Sequence, residues 1–174
     1  MKQQKLFALV LGVTDGIFNA LTLAAGRVLN ASASIEAMFA LRIAIASSFS
    51  GFFVFFVADY SRQRAGLIQA ERHLNLTQYG RLAKGYLGRA VAKDALEAAG
   101  VSVIGSFFGA LLPLLTTSLM KGPAVLAIVA AILALGVVGM FVGRAVHGTP
   151  WLWSMLLMLT GSFLTLLGIY IHIT

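Results

Sequence analysis

The sequence predicts an all-α membrane protein: five transmembrane helices, with a short amphipathic cytoplasmic helical region between helices 2 and 3. Three observations carry that prediction. Only 11% of the 174 residues are charged and 59% are hydrophobic, against about 25% charged in a soluble domain. The apolar residues fall into five runs of roughly 20 residues, the length that crosses a hydrocarbon core of about 30 Å as a helix. The basic residues gather in the segments between those runs, alternately dense and sparse. The length suits one membrane domain over 1–174, with little left for a soluble one.

A short basic tail (1–5) precedes span 1, about residues 6–27. The run is too long for the apolar core of a cleaved signal peptide and it contains Asp15, so it reads as a retained span. A small polar turn leads to span 2 (37–57), whose Arg42 lies near its outer end and can snorkel. The connector 58–93 differs in kind. It holds seven basic residues against Asp59 and Glu71. Leu67, Ile68, Ala70 and Leu74 recur at helical spacing, so 61–76 reads as an amphipathic helix continuing span 2. A second short helix, 82–97, leads into span 3 (95–119), where Pro113 is expected to bend the helix and free a carbonyl. Span 4 (124–146) carries Gly139 and Gly143 at the four-residue spacing that lets helices approach closely. Span 5 (151–171) has Trp151 and Trp153 at one interface and Tyr170 at the other, as aromatic belts prefer.

Lys2, Lys5, Arg144 and the seven basic residues of 58–93 make ten of the chain's 13 Lys and Arg. All ten fall inside if the N-terminus is cytoplasmic, which puts the C-terminus outside. The formal charge of +7 therefore belongs to a membrane face and its anionic lipids, not to a nucleic acid. The absence of cysteine excludes disulfides, iron–sulfur clusters and thiolate metal sites in this chain.

Of six acids, only Asp15 lies deep in a span, where a carboxylate costs roughly 2.5–3.5 kcal/mol on insertion scales. Asn19 and Thr22 follow at four and seven residues, on the same helix face. Carboxylate, amide and hydroxyl together offer oxygen ligands for a hard or borderline divalent cation, or a proton-relay acid. The bland alternative is a helix-packing hydrogen bond. Asp59, where span 2 meets the cytoplasm, reads equally as the inner mouth of a path or as a solvated partner of Arg62. Glu71 and Glu97 are possible points of metal entry on the cytoplasmic side, against a plainer reading as a solvated group and a helix-start acid beside Asp94. His147 and His172 read as interfacial surface residues. Met155 and Met158 share a face, which alone is weak evidence for a soft-metal site. With no HExxH, GxSxG, phosphate loop or His pair at ligand spacing, nothing points to an enzyme or a resident cofactor.

The segments GVTDGIFNALTLAAG (12–26), FFVADYSRQRAGLIQAERHL (55–74) and SFFGALLPLL (106–115) resemble the vacuolar iron transporter family of divalent-cation transporters. So does the pattern of Gly143-Arg144, Gly161, Gly168 and Tyr170 toward the C-terminus. Ala58-Asp59-Tyr60 stand where the family usually has Gly-Glu-Tyr. Phe55 or a neighbour occupies the place of a methionine, and the connector is short and basic where many members have an acidic one. The pattern is most similar to the family's short prokaryotic branch. The resemblance implies a homodimer with an ion path between the first and second spans, exporting Fe²⁺ or Mn²⁺ across the plasma membrane in exchange for protons. It implies path-lining roles for Asp15 and Asp59; Asn19, on the same face as Asp15, would be an auxiliary oxygen. The rival expectation is a non-transporting structural or lipid-binding subunit of a larger assembly.

Overall fold

The computed structural model describes residues 2–28, 37–73, 80–120 and 124–170. Leu74 and His172 lie outside them. Six helices follow in order: α1 (Lys2–Val28), α2 (Ala37–His73), α3 (Arg81–Lys84), α4 (Tyr86–Met120), α5 (Ala124–Ala145) and α6 (Pro150–Tyr170). Five of them are long and apolar enough to cross a membrane, and among the described residues there is no strand. The chain is an all-α, multi-pass membrane protein.

The bundle buries many small residues around a few large ones, Ile17, Leu21, Leu114 and Leu135, and turns most of its large residues outward. Ala8, Ala20, Ala24, Ala44, Ala98 and Ala110 are buried, whereas Phe49, Val54, Leu112, Leu133, Phe163 and Leu166 are exposed. This is the arrangement expected where lipid is as apolar as the core and close backbone packing drives association. The tightest crossing joins α1 to α4. A Cβ on Gly12 would come within 2.1 Å of the Ser102 carbonyl oxygen, and one on Gly16 within 2.1 Å of that of Ser106. In return, Gly105 and Gly109 lie against the carbonyls of Leu9 and Val13. Two four-spaced glycine pairs thus interlock. Gly139 and Gly143 behave as their spacing suggests, resting on Ser154 and Pro150 at the start of α6.

At about 1.5 Å per residue, the 37 residues of α2 and 35 of α4 measure over 50 Å each. Both project well beyond a hydrocarbon core of about 30 Å. Span 2 and the first part of the connector form one unbroken helix to His73, and the 74–76 end of the expected 61–76 helix lies outside the described residues. The connector's second helix is not continuous. Gly85 separates the single turn α3 from α4, and Gly88 packs so closely under α3 that a Cβ would meet the Ala83 carbonyl oxygen at 1.9 Å. Helix α4 runs on through Pro113. The α5–α6 connection is tight: Thr149 accepts the amides of Leu152 (3.1 Å) and Trp153 (3.4 Å), and Pro150 takes the first helical position, where no amide is needed.

Candidate functional site

The close α1–α4 crossing sets the site. By seating α1 on the backbone of α4 through Gly12 and Gly16, it brings Ser106 beside Asp15. Helix α2 completes the group with Ser47 and Gly51. Asp15 Oδ2 accepts long hydrogen bonds from Asn19 Nδ2 (3.4 Å) and Ser106 Oγ (3.5 Å). Asn19 Nδ2 also donates to Ser47 Oγ at 2.7 Å, and the Ser47 and Ser106 hydroxyls lie 3.4 Å apart. A Cβ on Gly51 would stand 3.1 Å from Asp15 Oδ2, so glycine there leaves room for the carboxylate against α2.

Ser47 and Ser106 are buried, but Asp15 is exposed on the bundle's flank. Eleven residues separate it from Gln4 at the basic end of α1, about 16 Å along the helix, which is close to half the hydrocarbon thickness. Among the described residues the ion pairs are Lys5–Glu97 and Arg62–Asp59. No cation in the described chain balances Asp15. Thr22 does not join the group. Its hydroxyl donates to the Phe18 carbonyl one turn back, at 2.6 Å.

The second aspartate is placed quite differently. Ser47, Gly51, Phe55 and Asp59 share one face of α2 at four-residue intervals, so Asp59 lies about 18 Å from Ser47, at the basic end. Only 6% of it is exposed. Its Oδ1 accepts from Arg62 Nη2 at 2.7 Å, and its Oδ2 accepts from Gln63 Nε2 at 2.8 Å and Gln4 Nε2 at 3.0 Å. Gln4 belongs to α1, so this carboxylate ties α1 to α2. Beside it, Lys5 Nζ reaches Glu97 Oε2 on α4 at 2.9 Å. Gln4, Lys5, Asp94 and Glu97 surround a cavity of about 10 Å³, room for about one water.

The Glu71 carboxylate has a separate task. It is fully buried and accepts the backbone amides of Gly80 and Leu82, holding the start of α3 against the end of α2. Among the described residues no three His, Cys, Asp or Glu converge as a metal cluster. The residues expected from sequence thus separate into an open mid-depth group (Asp15, Asn19), two acids at the basic end, one saturated (Asp59) and one exposed and paired with Lys5 (Glu97), and a structural acid (Glu71). Ser47, Ser106, Gly51 and Gln4 join these groups without having been singled out in the sequence.

Fold and site together define a multi-pass α-helical membrane protein with an oxygen-rich carboxylate group at mid-depth that no cation among the described residues pairs with. Neither protein-family models nor curated proteins match the chain.

Proposed function

We propose that this protein carries a divalent transition-metal cation, Fe²⁺ or Mn²⁺, out of the cytosol in exchange for protons. The path would lie at a homodimer interface formed by α1 and α2. The observation that supports this reading is the exposed Asp15 carboxylate at mid-depth, with Asn19, Ser47 and Ser106 beside it and, among the described residues, no cation paired with it. A packing acid would be expected inside the bundle with short, saturating hydrogen bonds. Asp15 has long ones and faces outward.

One copy supplies a single carboxylate, too little charge for a divalent ion. A two-fold axis beside the α1–α2 face would set a second Asp15 opposite the first, doubling every oxygen. Oxygen donors of this kind suit Mn²⁺ and the borderline Fe²⁺. Metal and proton would compete for the same carboxylate oxygens, so protonation would release the cation and deprotonation would admit the next. The basic end, carrying Lys5, Arg62 and Arg144, would face the cytosol. The closed Gln4–Asp59 and Lys5–Glu97 contacts would then shut that end of α1 in the conformation described.

The test is Mn²⁺ flux into proteoliposomes under an imposed proton gradient. Wild-type protein should transport. The Asp15→Asn variant, shown intact by its elution profile and helical content, should fall to the leak of empty vesicles. Absence of flux in wild type, or equal flux in both, would overturn the reading and favour a non-transporting membrane subunit.

A further inference from the structure

The basic end of the bundle carries a second feature, unrelated to Asp15. A cavity of about 410 Å³ opens between the start of α1 and the end of α5. That is within the roughly 300–1,000 Å³ range of small-molecule sites. Leu6, Phe7 and Val10 of α1 and Val142 of α5 make an apolar wall, and Arg144 and His147 stand with it. No acid lines it. Five residues at about 100° each place Val10 some 140° around α1 from Asp15. The cavity therefore lies away from the face assigned to the ion path.

The end of α5 is shaped at this cavity by an unusual residue. The Gly148 amide donates to the Gly143 carbonyl (2.9 Å) and the His147 amide to that of Arg144 (3.3 Å). These are the paired bonds that close a helix when the next residue is left-handed. That residue is usually glycine. Here it is His147, at φ 55°, although a side chain with a Cβ is disfavoured there by roughly 1–2 kcal/mol. The turn holds the imidazole at the cavity beside Arg144. Among the described residues Arg144 makes no ion pair. A cation near a helix C-terminus is ordinarily accounted for by the carbonyl dipoles, but that does not explain an apolar slot beneath it.

We propose that this cavity is a binding site for an anionic phospholipid. The phosphate would sit at Arg144 and His147, and an acyl chain would lie along Leu6, Phe7, Val10 and Val142. Charge complementarity selects the occupant. The site joins an unpaired guanidinium and an imidazole to an apolar wall, on the end of the bundle where the basic residues gather. Bound lipid would bridge α1 to α5 on the side of α1 away from the Gln4–Asp59 contact.

The test uses the full chain in nanodiscs of mixed phosphatidylglycerol and phosphatidylcholine, with the lipids retained after detergent extraction counted by native mass spectrometry. Wild type should retain phosphatidylglycerol in preference. Arg144→Gln should lower that preference about fivefold, the effect of one basic group at a membrane surface, while Arg144→Lys keeps most of it. Val10→Trp, which fills the slot, should lower retention of the lipid with Arg144 intact. Helical content and elution profile identify any variant that has not folded, and the Arg144→Lys comparison then decides. Equal preference in wild type and Arg144→Gln would overturn the proposal. So would displacement by inorganic phosphate, which would mark an anion site without a lipid. Mn²⁺ flux plays no part in these readouts, so failure here leaves the transport reading standing, and the reverse.

Discussion

Two aspartates on the α1–α2 side of the bundle have opposite fates. Asp59 lies near water, where a carboxylate is least costly, yet it is buried and saturated by Arg62, Gln63 and Gln4. Asp15 lies at mid-depth, where a carboxylate is most costly, yet it is exposed and held only by hydrogen bonds of 3.4 and 3.5 Å. If both acids served packing, the deeper one should be the better satisfied, because unmet polarity costs most in low dielectric. The reversal indicates different work: Asp59 joins helices, and Asp15 keeps its oxygens available.

The comparison is sharpest in paired variants. Asp15→Asn should abolish Mn²⁺ flux without lowering the melting temperature, whereas Asp59→Asn should keep flux of the same order as wild type. Identical losses in proteoliposomes would erase the distinction. Gly51→Leu should come next, because its side chain would occupy the space beside Asp15 Oδ2. The expected loss of flux is about 10–100-fold, comparable to disturbing the support of a metal ligand, with the bundle still folded by circular dichroism.

Asp59→Asn should act mainly on stability. It weakens a charge-assisted bond to Arg62, which is itself largely exposed and can rehydrate, so about 1–2 kcal/mol is expected. In a chain of this size that is a fall of several degrees in a thermal melt. Glu97→Gln should be the smallest perturbation. It breaks the exposed contact to Lys5, and no resolvable shift in the same melt is expected. A large shift would mean that the Lys5–Glu97 contact does more than close the end of α1.

Much of this was legible in the sequence, for physical reasons that also mark its limits. A lone acid in an apolar run stands out, and the four-residue step from Asp15 to Asn19 places both on one face of any helix. Thr22 shares that face, but its hydroxyl takes the nearest carbonyl, that of Phe18, as a threonine in a helix readily does. Ser47 and Ser106 were not legible, since their approach depends on which helices meet. That meeting is set by Gly12, Gly16, Gly105 and Gly109, and a four-residue glycine spacing does not name its partner. Glu71, flanked by Arg72 and His73, has the local pattern of a surface acid. Only the return of the chain at Gly80 and Leu82 buries it and turns it into the support of α3.

Whether Asp15 is an ion ligand is tested most directly by locating the ion. Crystals of the full chain grown with saturating Mn²⁺ and measured at the manganese edge should show one anomalous peak at mid-depth, within coordinating distance of the Asp15 carboxylate and shared across a two-fold axis. A map with manganese only at Asp59 or the basic end, or with none in the bundle, would contradict it.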